Sequence, residues 1–81
     1  MEKHRIFIVE DDTKIASLLA ETLRKYQYEV ETIEDFDRVL EQFTRFAPHL
    51  VLLDINLPAY DGYYWCRQLR QVTTCPIIFI S

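Results

Sequence analysis

Leu50-Val51-Leu52-Leu53-Asp54 is the stretch whose reading decides the fold. Four consecutive apolar residues without polar alternation have no wet face, so as a strand they need cover on both sides. The run is far too short to span a bilayer. It ends abruptly on a carboxylate. An acid directly after a buried strand enters a place where burial of charge is penalised, so Asp54 is more informative than an acid in a loop. Two other runs have the same character. Arg5-Ile6-Phe7-Ile8-Val9 is closed by Glu10-Asp11-Asp12, and Pro76 opens Ile77-Ile78-Phe79-Ile80, followed by Ser81. Tyr28 to Ile33 alternates, which suits a strand, second in chain order, with one wetter face.

Between these runs the period changes. Ile15, Leu18, Leu19, Thr22, Leu23 and Tyr26 fall at helical spacing and predict one buried helix face, with Asp12 as its N-cap. Phe36, Val39, Leu40 and Phe43 repeat that spacing, with Glu34, Asp35 and Asp37 at the amino end, where the helix dipole favours acids, and Pro48 as the stop. Asp61 is a good N-cap for a third helix from Gly62 to about Gln71. The order is β-α-β-α-β-α-β. Apolar strands alternating with helices predict a parallel sheet covered on both faces by right-handed crossovers. Such sheets bind ligands outside the carboxyl ends of their strands, where the winding reverses.

Composition bounds the function. Eighty-one residues make one domain at most, and 49% hydrophobic with 27% charged residues is ordinary for a globular one. Nine basic against thirteen acidic residues give a net charge of −4, so the chain carries no basic footprint for nucleic acid. The charged start, Met1-Glu2-Lys3-His4-Arg5, does not read as a signal peptide. Cys66 and Cys75 lack metal-ligand spacing and read as reduced thiols, Cys66 as packing beside Trp65; His4 and His49 read as surface or loop residues. Tyr63-Tyr64-Trp65 exceeds what one helix face buries, so part of it is expected over the loop after the third strand or at a surface contact.

The notable polar residues all lie at strand carboxyl ends: Glu10, Asp11 and Asp12, then Asp54 with Asn56 two residues on, then Ser81. If the first and third strands are neighbours, Glu10, Asp11 and Asp54 share one crevice. Clustered carboxylates repel one another unless a hard divalent cation neutralises them, and Mg²⁺ is usually held by few carboxylates plus water and substrate oxygens. Asp54 then has the chemistry of a carboxylate nucleophile towards phosphorus. Ser81 can donate to a phosphoryl oxygen.

These stretches resemble bacterial two-component response-regulator receiver domains. Ile6-Phe7-Ile8-Val9-Glu10-Asp11-Asp12 is similar to their opening strand and acidic pair. Leu50 to Pro58 is similar to their phosphoacceptor strand and loop, Asp61-Gly62 to the start of their third helix, and Pro76 to Ser81 to their fourth strand. Pro58-Ala59-Tyr60-Asp61-Gly62-Tyr63-Tyr64-Trp65-Cys66-Arg67 further resembles OmpR-type winged-helix regulators of the group answering to bacitracin-like and other cell-envelope peptides. The resemblance implies a flavodoxin-like α/β fold with strand order 2-1-3-4-5. Residues 1–81 would be the amino-terminal part of one receiver, running from the first strand through the fourth.

The resemblance also implies roles. Asp54 would be the phosphoacceptor and Ser81 the switch hydroxyl. Mg²⁺ would be held by Asp11 directly, by Glu10 directly or through water, by Asp54, and by the backbone carbonyl of Asn56. The implied partner is a sensor histidine kinase, and the receiver itself would be cytoplasmic, with no membrane contact. DNA would be bound only through a carboxyl-terminal module outside these residues. The family's fifth strand, with its lysine, and the fourth and fifth helices, with the dimerisation face, also lie outside them. Two other readings compete: an aspartyl-phosphate-type phosphatase or hydrolase, and an inactive interaction fragment. Asn56 speaks against the hydrolase, because it stands two residues after the nucleophile and cannot protonate a leaving group.

Overall fold

The computed structural model describes residues 3–57 and 60–80. The chain alternates β1 (Arg5–Val9), α1 (Thr13–Lys25), β2 (Glu29–Thr32), α2 (Val39–Phe46), β3 (Leu50–Asp54), α3 (Gly62–Arg70) and β4 (Ile77–Ile80); a 3-10 turn at Phe36–Arg38 leads into α2. All pairings are parallel and the sheet order is β2-β1-β3-β4. This is the expected flavodoxin-like arrangement. The reversal of winding falls between β1 and β3.

Strand alternation divides the core in two. Phe7, Val9, Val51 and Leu53 point to one face and pack with Val39 and Phe43 of α2, Leu57 and Leu69 of α3. Ile6 and Ile8 point to the other and pack with Ala16 and Ala20 of α1 and with Val30. Phe7, Ile8, Val9, Val51 and Leu53 are fully buried, so the two central strands carry most of the interior. Burying a side chain of that size contributes about 1.5–3 kcal/mol.

The caps follow the sequence. Asp12 Oδ1 accepts the backbone N–H groups of Lys14 (3.0 Å) and Ile15 (3.2 Å), and Asp61 Oδ1 accepts that of Tyr64 (2.9 Å). α2 stops at Ala47, which adopts the left-handed conformation (φ 52°) before Pro48. That conformation costs an alanine about 1 kcal/mol. It is held by the Ala47 N–H, which donates to the Phe43 carbonyl (2.8 Å), and by Arg5 Nε, which donates to the carbonyls of Phe46 (3.1 Å) and Ala47 (2.9 Å). His49 is more than a loop residue: its Nδ1 accepts the Arg5 N–H at 2.9 Å, tying the starts of β1 and β3 together.

One packing expectation needs correction. The buried face of α1 is rotated towards Ala16 and Ala20, with Leu19 and Leu23 half-buried, while Ile15 (47%), Leu18 (65%) and Tyr26 (72%) remain exposed. Small side chains let the helix approach β1, and this proximity decides the face over the larger residues' hydrophobicity. β4 is open in part, as expected where the family's fourth and fifth helices and fifth strand lie outside these residues. Ile78 is 50% exposed, and Phe79 is covered only in part, by Tyr63, whose ring centroid lies 4.9 Å away. Among the described residues no helix is long and apolar enough to cross a membrane.

Candidate functional site

The register Val9↔Leu53 brings the carboxyl ends of β1 and β3 side by side. Glu10 and Asp11 leave β1 at the point where Asp54 ends β3. Each of the three offers a carboxylate oxygen, and these oxygens lie within 4.8 Å of one another. Glu10 and Asp54 are buried and Asp11 is exposed, so the cluster has two inner oxygen donors and one at the mouth.

Backbone N–H groups orient the two inner acids. Glu10 Oε1 accepts the Asp12 N–H at 3.0 Å, and Asp54 Oδ1 accepts the Asn56 N–H at 3.0 Å. These bonds engage one oxygen of each carboxylate. Among the described residues no ion pair involves any of the three. Burial raises the Glu10 pKa to about 6; the Asp12 N–H opposes that rise, while Asp54 and Asp11 add to it. The raised Glu10 pKa is thus chiefly an effect of burial, to which the neighbouring carboxylates add. An all-oxygen donor set with excess negative charge fits a hard divalent cation.

The sequence candidates separate cleanly. Glu10, Asp11 and Asp54 come together, while Asp12 turns away to cap α1. Asn56 is exposed and its backbone N–H holds Asp54. Ser81 and Pro58 lie outside the described residues. Cys66 and Cys75 are half-buried against the α2–α3 core, which suits packing. The aromatic run divides as expected: Tyr64 stacks on Tyr60 of the preceding loop (4.2 Å between ring centroids), Trp65 meets Tyr64 edge-on (5.0 Å), and Tyr63 leans on Phe79.

One contact was not foreseen. Gly62, read as the first residue of the third helix, is buried there, and its N–H donates to the Ile55 carbonyl at 3.0 Å. The preceding Asp61 N-cap was the only available sequence signal for how closely this helix would approach β3.

Comparison with known proteins decides the family. The model of the response regulator receiver domain matches residues 6–81, which includes every strand but the first residue of β1. The chain belongs to the response regulator receiver domain family. This receiver is 59% identical over 78 residues to the transcriptional regulatory protein YxdJ of Bacillus subtilis, covering 96% of the chain and 34% of the relative. It thus spans about a third of the length of that relative. Its fold matches the N-terminal domain of the nisin resistance regulator NsrR, a lantibiotic response regulator, with a TM-score of 0.91 and 45% identity, covering 99% of this chain and 68% of that one. It also matches a chain in the complex of histidine kinase ThkA with response regulator protein TrrA, with a TM-score of 0.83 and 32% identity, covering 94% and 66%. The receiver is a signalling domain of two-component regulators.

Proposed function

We propose that Asp54 is the phosphoacceptor, charged by a sensor histidine kinase in a Mg²⁺-dependent reaction. The observation that carries this reading is the convergence of Glu10, Asp11 and Asp54 at the carboxyl ends of β1 and β3. Glu10, Asp11, Asp54 and the backbone carbonyl of Asn56 would hold Mg²⁺. The bound cation supplies charge neutralisation for an incoming phosphoryl group.

The chain's own groups do the rest. The Asn56 N–H fixes Asp54 through Oδ1, leaving Oδ2 outside that bond for attack on phosphorus. A bond forms from the Asp54 oxygen to phosphorus as the bond from phosphorus to the donor's leaving atom breaks. Asn56 offers no acid to protonate a leaving group, which favours storage of the aspartyl phosphate over turnover and argues against a hydrolase. Ser81 would donate its hydroxyl to the phosphoryl group. Residues 1–81 would be the amino-terminal part of a cytoplasmic receiver. The whole protein would control transcription through a DNA-binding module, a reading supported by similarity to a transcriptional regulator. Similarity to a lantibiotic response regulator supports a cell-envelope peptide as the upstream stimulus.

The test is direct. The full-length protein, incubated with Mg²⁺ and acetyl phosphate, should gain about 80 Da, the mass of one phosphoryl group. Asp54→Ala should lose the adduct. An adduct undiminished in that variant refutes the assignment.

A further inference from the structure

The start of α3 lies against the end of β3 more closely than any side chain permits. A Cβ at position 62 would fall inside the contact distance of the Asp54 carbonyl oxygen, 2.9 Å from Ile55 Cα and 3.0 Å from the Asp54 carbonyl carbon. All three are backbone atoms, which cannot rotate aside as a flexible side chain would. Gly62 has no positive φ, so space and not conformational freedom requires glycine here.

The segment it touches is the one that carries the site. Asp54 supplies the buried carboxylate. Ile55 is pinned on both polar groups, its N–H donating to the Ile80 carbonyl (3.1 Å) and its carbonyl accepting the Gly62 N–H (3.0 Å). Asn56 follows and holds Asp54 Oδ1. On the helix side, Asp61 Oδ1 accepts the Tyr64 N–H, locking the first turn in which Gly62 sits.

We propose that Gly62 is a positioning residue for the phosphoacceptor: its missing Cβ seats α3 against the Asp54–Ile55 backbone and thereby sets the approach of the Asp54 carboxylate to the Glu10–Asp11 pair. The inference rests on the phosphoacceptor role of Asp54. A methyl group at position 62 must push the helix or the strand end away by a few tenths of an ångström or more. Displacements of that size at a nucleophile lower transfer rates steeply. The damage therefore falls on chemistry and metal binding beyond any loss of stability.

The experiment compares Gly62→Ala with Leu69→Ala in the full-length protein. Leu69 is fully buried near the far end of the same helix, so its truncation destabilises α3 without touching the crevice. Two quantities are measured at a temperature where both variants are folded: Mg²⁺ affinity by calorimetry, and the rate of Asp54 phosphorylation by acetyl phosphate at saturating Mg²⁺. Gly62→Ala should lower the rate at least about tenfold and weaken Mg²⁺ several-fold, the steepness expected for a misplaced nucleophile. Leu69→Ala should stay within about twofold on both, although it melts lower, because Leu69 stands near the opposite end of α3 from Gly62. Equal losses in the two variants, or a folded Gly62→Ala with wild-type rate and Mg²⁺ affinity, overturn the proposal. If Gly62→Ala does not fold, Asp61→Ala decides, because it loosens the same turn without adding volume; a slowed rate supports the proposal and an unchanged one overturns it. A wild-type protein that takes no phosphoryl group refutes the phosphoacceptor reading instead, and the Mg²⁺ arm still separates Gly62 from Leu69.

Discussion

Replacing Glu10 by Gln should stabilise the metal-free receiver at neutral pH. Burial raises the Glu10 pKa from 4.5 to about 6, with the carboxylates of Asp54 and Asp11 adding to the rise. At about 1.4 kcal/mol per pH unit, that rise amounts to about 2 kcal/mol held against the ionised form. The sign follows from linkage. The folded state holds the Glu10 proton more tightly than the unfolded chain, so this contribution to stability is full below about pH 4.5. It is lost as pH rises through about 6. Glutamine keeps the carbonyl oxygen that accepts the Asp12 N–H and removes the charge. Thermal melts with chelator at several pH values between 4 and 8 measure the effect. Glu10→Gln should melt higher than wild type at pH 7.5, by several degrees for a domain of this size. The difference should shrink towards pH 4.5. Mg²⁺ should reverse the order, since the variant loses an anionic donor. A variant that melts below wild type at pH 7.5 without metal, or a difference independent of pH, refutes the argument that Glu10 carries uncompensated charge.

Asp11→Asn should weaken Mg²⁺ affinity at least about tenfold by calorimetry while leaving the metal-free melt unchanged or slightly higher, because Asp11 is exposed at the mouth of the cluster and contributes mainly repulsion. Gln42→Leu should destabilise by about 2–3 kcal/mol in urea unfolding: the buried Gln42 amide serves the Glu34 N–H (2.9 Å), the Thr32 carbonyl (2.9 Å) and Glu31 Oε1 (2.7 Å), and leucine orphans them. Residues 1–81 expressed alone should self-associate on size exclusion with light scattering, because β4 presents half-exposed Ile78 and Phe79 along a strand with no charged residue to guard its edge. A monodisperse monomer would contradict that expectation.

The elements and the site were legible in the sequence for a common reason. A continuous apolar run such as Leu50–Leu53 leaves no freedom over which side faces solvent, and an acid that closes it can lie only at the sheet's edge. The strand order, which the family resemblance implied, then brings Glu10 and Asp54 together. Helix faces were less legible. Periodicity weighted by hydrophobicity chose Ile15 and Leu18, but Ala16 and Ala20, flanked by half-buried Leu19 and Leu23, took the interface. Gln42 was passed over for a related reason: it lies three residues beyond Val39 on the buried face, where its polarity disguised a capping role for the end of β2. His49 gave no partner spacing because its partner is the Arg5 backbone, 44 residues away.

The site and its supports pull in opposite directions. Clustering Glu10, Asp11 and Asp54 stores repulsion at the carboxyl edge, which adds to the burial that raises the Glu10 pKa, and a sheet edge so loaded would relax by spreading its strand ends. Three backbone devices resist that spread. The Asp12 N–H holds Glu10, the Asn56 N–H holds Asp54, and the first turn of α3 closes on the Asp54–Ile55 backbone through Gly62. None of them uses a cationic side chain, so none cancels the negative charge. Among the described residues the crevice is therefore fixed in shape and rich in negative charge, a condition in which an arriving divalent cation gains from binding.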